Sequence, residues 1–166
     1  LSTGQHPDWA VLENFEDARL DSNNTGHSYA QLTFNQTQDL AFSGTIRNSY
    51  TSGGGSTAYN SGNALKLVKY GSGTLIIEAG TAQTGGIDVM EGKLQVGNGG
   101  TIGSLMANNP VYVNAGATLE YYRGDVQQTQ GVINIYHAIS GDGNLIFRST
   151  GAAGAGDYRY YGDNNL

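Results

Sequence analysis

From about residue 32 onward, apolar and polar residues alternate in short runs of three to five, and each run is bounded by Gly, Asn or Asp. This alternation is typical of short β-strands in which every second side chain faces the interior. Helical periodicity is absent over the same span, so the pattern predicts an all-β fold and excludes an α/β fold. The apolar pairs that we expect to face inward are Leu32/Phe34, Leu40/Phe42, Leu65/Leu67, Leu75/Ile77, Ile87/Val89, Leu94/Val96, Val111/Val113, Ile133/Ile135 and Leu145/Phe147.

Glycines recur just before strands that open with Leu or Ile, where positive φ would let the chain turn a sharp corner. The apolar residues expected to open these strands lie 29, 19, 25 and 26 residues apart, at Ile46, Leu75, Leu94, Leu119 and Leu145. Repeats of this length are typical of stacked β-solenoid coils, in which each coil is stabilised mainly by its neighbours. The inward side chains would then form columns, and each buried side chain would contribute roughly 1.5 to 3 kcal/mol.

Two segments depart from this pattern. Residues 7–20 carry apolar residues at positions 9, 12 and 15 behind Asp8, which fits either one short helix or an irregular first coil. Residues 49–63 are rich in Gly and Ser and predict a long loop between two strands. We therefore expect an irregular N-terminal or capping segment at 1–30, followed by stacked coils over 31–166.

Composition narrows the possible partners. The chain has 166 residues, 26 of them Gly, a net charge of -6 and only 8 Lys+Arg, so it lacks the basic surface that nucleic acid requires. The absence of Cys excludes disulfides and thiolate metal sites. No run of 18 apolar residues is present, so we expect no direct membrane insertion of this segment, and any signal or anchor would lie outside it.

Three runs carry a more specific pattern. They extend from Leu67 to Ile77, from Thr84 to Gly97, and from Val111 to Leu119, and weaker copies spread over residues 30–150. In this order they resemble the passenger-associated repeats of autotransporters, although the insert at 49–63 and Tyr70 depart from the family pattern. The resemblance implies a fragment of a right-handed parallel β-helix that is exported by type V secretion. In the parent protein it implies a C-terminal outer-membrane β-barrel translocator.

The same resemblance implies a location and a role. The location is the cell surface of a Gram-negative bacterium, with the passenger anchored at the outer membrane or released. The role is that of a non-catalytic stalk and adhesin in host-cell adhesion, aggregation or biofilm formation, and so in virulence. Its partner would be a host surface protein, a glycan or a second passenger. The alternative is a β-helical polysaccharide-degrading enzyme or a phage tailspike-like carbohydrate-binding module.

Catalytic chemistry finds little support in the sequence. Polysaccharide cleavage needs two or three acids that project from adjacent coils into one groove. The acids available by chemistry are Asp88, Glu120, Asp125 and Asp142, and each is expected as a solvated side chain beside a turn or on an outward strand position. The histidines His6, His27 and His137 have no ligand partner at a suitable spacing. We expect neither an enzyme, nor a metal site, nor a cofactor.

Two features are candidates for partner binding. The segment Arg123-Gly124-Asp125 resembles the Arg-Gly-Asp loops of integrin ligands, although a polar turn with Gly at its bend is the favoured interpretation. Tyrosines on neighbouring coils would form an aromatic row that either binds sugars or proteins or packs along the outside of the solenoid. These tyrosines are Tyr121, Tyr122, Tyr158, Tyr160 and Tyr161.

Overall fold

The computed structural model describes residues 9–13, 28–48, 63–124, 132–150, 157–162 and 164–165. All regular structure within these residues is β and no helix is present, so the prediction of an all-β fold is confirmed. The strands of the described residues are β1 (Trp9–Glu13), β2 (Ser28–Asn35), β3 (Leu40–Phe42), β4 (Ile46–Arg47), β5 (Asn63–Tyr70), β6 (Thr74–Ile77), β7 (Thr81–Ala82), β8 (Ile87–Val89), β9 (Lys93–Val96), β10 (Val111–Val113), β11 (Thr118–Arg123), β12 (Val132–Ile135), β13 (Ile139–Ser140), β14 (Asn144–Ser149), β15 (Asp157–Tyr160) and β16 (Asn164–Asn165).

From β2 onward, strands that follow one another in sequence lie in different sheets. The larger sheets have the strand orders β1-β2-β5-β8-β10-β13-β16 and β14-β11-β9-β6-β3, and two-stranded sheets join β4 to β7 and β12 to β15. Every pairing among these strands is parallel except that of β1 with β2. Each strand thus stacks on the one that lies a single repeat earlier in the chain, an arrangement compatible with a β-solenoid.

The register of the five-stranded sheet brings one column of leucines together. Leu75, Leu94, Leu119 and Leu145 pair in succession, as the spacing of 19, 25 and 26 residues predicts. The prediction that Ile46 is the first member of this column is wrong. Leu40 pairs with Leu75, whereas Ile46 pairs with Thr81 in another sheet. The first repeat is therefore 35 residues long, because it contains the insert that follows β4.

Glycine corners precede the strands of this sheet, as the sequence predicts. Gly92 has φ +64, and a Cβ there would overlap the backbone oxygens of Gly71 and Gly73 in the preceding repeat. Gly71, Gly116 and Gly141 hold the equivalent corners, also with positive φ. A side chain at Gly71, Gly92 or Gly141 would meet both backbone strain and the neighbouring backbone, whereas at Gly116 it would meet strain alone.

Apolar side chains from the sheets meet in one core. Most of the side chains predicted to face inward are buried, and Leu67, Leu75, Ile87, Leu94 and Leu119 have no exposed surface. Leu40 and Phe147, also predicted to be inside, are 42% and 41% exposed. They lie on β3 and β14, the two edge strands of their sheet, so no further strand of that sheet covers them. Side chains in the same columns that are partly buried are Leu32, Phe42, Leu65 and Leu145.

The N-terminal helix is not formed where the structure describes that segment. Residues Trp9–Glu13 form β1, which pairs antiparallel with β2 along its whole length. β1 is thus the edge strand of the seven-stranded sheet. Residues 14–20 and positions 49–62 of the predicted loop 49–63 lie outside the described residues, whereas Asn63 begins β5. The predicted boundary between residues 30 and 31 falls within β2, and the division of the chain there stays a prediction.

No helix among the described residues is long and apolar enough to cross a membrane.

Candidate functional site

The arginine of the Arg-Gly-Asp segment makes contacts within the molecule. Arg123 ends β11, and its guanidinium donates hydrogen bonds to the backbone oxygens of Thr101 and Gly103, each at 2.7 Å. Gly124 is buried, and a Cβ at this position would overlap the Thr150 hydroxyl. Asp125 lies outside the described residues. Recognition through this segment would therefore require Arg123 to exchange its bonds to the 97–103 loop for bonds to a partner.

The predicted tyrosine row divides into inward and outward members. Tyr121 is 3% exposed and cannot serve as a surface platform, which corrects the expectation for this residue. Its position in β11 lies in the inward column of Val96 and Phe147, so its ring enters the core. Tyr158 packs against it with ring centroids 6.5 Å apart, and the Tyr158 hydroxyl donates to the backbone oxygen of Arg148 at 2.6 Å.

Tyr160 also belongs to the inward group. It packs against the core, and its hydroxyl accepts a hydrogen bond from the backbone N–H of Ile139 at 3.1 Å. The phenol oxygens of Tyr158 and Tyr160 thus satisfy backbone groups of the neighbouring strands, the usual arrangement when tyrosine is buried. The Tyr158 hydroxyl also accepts a hydrogen bond from the backbone N–H of Arg123 in the preceding repeat at 3.1 Å. Neither residue offers a flat exposed ring.

A buried histidine lies against Tyr121. His137 is 4% exposed, its ring stacks on Tyr121 with centroids 6.0 Å apart, and its Nε2 is within hydrogen-bonding distance of the Tyr121 hydroxyl. Burial lowers the pKa of His137, and a contact with the Met106 backbone partly opposes this shift. Burial likewise raises the pKa of Tyr121 above its usual value. Both rings are therefore uncharged near neutral pH.

Glu120 is buried, although it was expected to be solvated. Its side chain is 3% exposed and forms ion pairs with Lys93 at 2.8 Å and with Arg148 at 2.7 Å. The Arg148 guanidinium also lies 3.6 Å from the centroid of the Tyr122 ring, so Tyr122 packs under a cation. One carboxylate on β11 thus links side chains from β9 and β14, the strands on either side. The arrangement joins three successive repeats on the outward face.

Lys69 is a buried basic side chain in the core that the sequence analysis did not predict. It has no exposed surface and lies between Phe34 and Val89 in an inward column. Its Nζ donates to the backbone oxygens of Tyr70 at 2.6 Å, Gly71 at 2.7 Å and Glu91 at 3.4 Å. Burial lowers the pKa of Lys69 to about 8, and the Glu91 and Asp39 carboxylates oppose that shift. The Lys69 ammonium therefore donates hydrogen bonds to buried backbone oxygens around the corner that contains Gly71.

An exposed pair of tyrosines lies on the outward face of β12 and β15. Tyr161, a predicted candidate, is 56% exposed and stacks on Tyr136 with ring centroids 5.2 Å apart and 14° between the planes. Sequence reasoning missed Tyr136, which is 48% exposed. The register of Ile135 with Tyr160 brings the two tyrosines side by side, and this register could not be read from the sequence.

Two of the acids considered for catalysis, Asp88 and Glu120, form ion pairs with neighbouring strands. Asp88 pairs with Lys66 at 2.5 Å on β8 and β5, while Glu120 is held by its two cations on the other large sheet. No three His, Asp or Glu side chains come together in the part of the chain that the structure describes. The geometry found at these acids is therefore that of ion pairs between strands.

Comparison of the chain with protein-family models, with curated proteins and with solved structures found no match.

Proposed function

We propose that this chain is a segment of right-handed parallel β-helix from the exported passenger of a Gram-negative autotransporter, where it acts as a non-catalytic surface stalk with adhesive side faces. One observation carries the proposal: Leu75, Leu94, Leu119 and Leu145 pair in register across four parallel strands, while consecutive strands from β2 onward belong to different sheets. Such stacking builds an elongated body in which each repeat contacts only its neighbours. The resemblance of residues 64–124 to passenger-associated repeats supports the delivery route.

Contacts between repeats support a mechanical role. Glu120 forms ion pairs with strands on both sides, and the Tyr158 hydroxyl accepts a hydrogen bond from the backbone N–H of Arg123 in the preceding repeat at 3.1 Å. A stalk must resist separation of its repeats, and these contacts act directly against that separation. Adhesion would follow from many weak contacts along such a body, because linked weak sites raise the overall affinity without any single strong one.

Surface location can be tested on the organism that makes the protein. An antibody against this chain should label intact cells, and external protease should remove the labelling. The proposal predicts no further labelling after the outer membrane is permeabilised. Labelling that appears only after permeabilisation would contradict the export route.

The adhesive and non-catalytic roles need separate measurements. Beads that carry the purified chain should be retained by host cells or immobilised glycans more strongly than beads that carry albumin. Equal retention of the two would contradict adhesion. Release of reducing ends or unsaturated products from polysaccharides during incubation with the chain would instead identify an enzyme.

A further inference from the structure

Two strands present a small polar and aromatic surface outward. In β12 the side chains of Ile133 and Ile135 are buried, whereas Asn134 and Tyr136, the residue that follows the strand, are exposed. Asn134 pairs with the exposed Arg159 of β15. The backbone N–H of Tyr161 donates to the oxygen of Ile135 at 2.7 Å and extends the pairing past the end of β15. The surface formed by Asn134, Tyr136, Arg159 and Tyr161 is called the tyrosine-arginine patch.

The patch has the footprint of one sugar ring. Paired strands lie about 4.8 Å apart, and side chains on the same face of a strand are separated by roughly 6.6 Å. The rings of Tyr136 and Tyr161 stack, so one face of each ring is covered by the other, while the two side chains are 48% and 56% exposed. Phenol hydroxyls and the Asn134 amide both donate and accept hydrogen bonds, as a polyhydroxylated ligand requires.

Arg159 gives the patch a positive charge, so we expect its ligand to carry a negative charge. It is exposed and forms no ion pair or hydrogen bond within the described part of the chain. Arginine binds carboxylate and sulfate-like groups through paired N–H donors, and such charge-assisted bonds are among the stronger polar contacts. The chain as a whole carries a net charge of -6, so it repels polyanions in general. Binding of an acidic ligand must therefore come from a local site of this kind.

We propose that the tyrosine-arginine patch binds an acidic sugar unit of a glycan, an inference that rests on the adhesive role proposed above. Arg159 binds the carboxylate or sulfate of the sugar. Tyr136 and Tyr161 contact the ring and its hydroxyls, and Asn134 donates or accepts beside them. Neutral sugars lack the group that Arg159 recognises.

The test measures binding of the purified chain to three polysaccharides by calorimetry: heparin, which carries sulfate and carboxylate; hyaluronan, which carries carboxylate alone; and neutral dextran. We expect binding to at least one acidic polymer and none to dextran. Arg159→Gln should weaken that binding at least about ten-fold, because it removes a charge-assisted contact. Tyr161→Ala should also weaken it, and Tyr161→Phe should weaken it by less, because that variant loses the hydroxyl but keeps the ring.

Tyr112→Ala is the matched control, because Tyr112 is an exposed tyrosine, 38% accessible, on a different sheet. It should leave binding unchanged, and circular dichroism should verify that every variant is folded. Equal binding by Arg159→Gln and the unaltered chain would overturn the patch. Equal competition by poly-glutamate would overturn the assignment to sugar. Retention of the chain on host cells without binding to either acidic polymer would overturn this inference and leave the adhesive role standing.

Discussion

The buried Lys69 predicts an unusual response to pH: the protein should become more stable as the solution becomes more alkaline. In the folded chain the pKa of Lys69 is about 8, against an ordinary value of 10.5. Between these two values the unfolded chain binds more protons than the folded chain, so the free energy of unfolding rises with pH. The difference is worth about 3 kcal/mol in full, of which about 2 kcal/mol should develop between about pH 7.5 and about pH 9.5.

Guanidinium denaturation followed by far-UV circular dichroism at both pH values measures this gain. Lys69→Met removes the titrating group while keeping a similar length of side chain, so the gain should vanish. Lys66→Met is the matched control, because Lys66 is a partly exposed lysine in the same strand, paired with Asp88. It should retain the gain. The reasoning is refuted if stability is flat or falls in the unaltered chain, or if Lys69→Met shows the same increase.

Three further predictions concern the core and the contacts between repeats. Leu119→Ala should lower the free energy of unfolding by about 3 to 5 kcal/mol, because Leu119 is fully buried. Leu40→Ala should lower it by only about 1 to 2 kcal/mol, because Leu40 is 42% exposed. Equal losses in chemical denaturation would contradict the stacking of the repeats. Glu120→Gln should cost about 1 to 2 kcal/mol and abolish the effect of added salt on stability at this site, since the two cations are themselves partly exposed. Acidification should destabilise the chain as the pH falls below the ordinary histidine pKa, because His137 is buried uncharged, and His137→Gln should remove that dependence in a thermal titration.

Most of the fold could be predicted from the alternation of apolar and polar residues and from the glycine corners, because both are local properties of the sequence. The column from Leu75 to Leu145 could be predicted since each member follows a glycine corner by a few residues. Ile46 was assigned to this column because it too follows Gly and Thr. Gly44, however, does not adopt positive φ. The insert after β4 lengthened the repeat and hid the true partner, Leu40.

The site residues were harder to predict because their environment depends on distant strands. Glu120 is buried by side chains that lie 27 and 28 positions away, at Lys93 and Arg148, and nothing near it in sequence indicates this. Lys69 did carry a signal: it follows Leu65 and Leu67 at alternate positions and so belongs to the inward row. Lys69 was not predicted to be buried because its charge was given more weight than its place in the alternating pattern.

The stacking of successive repeats can be measured directly by electron paramagnetic resonance between two spin labels. The chain contains no Cys, so Ala41→Cys and Ile146→Cys would provide unique attachment points on the outward face. These positions are separated by four strand pairings in one row, which corresponds to about 19 Å between their Cα atoms. The account predicts a narrow distance distribution within label reach of that value. A broad distribution centred at twice that distance would contradict the stacked arrangement of the repeats.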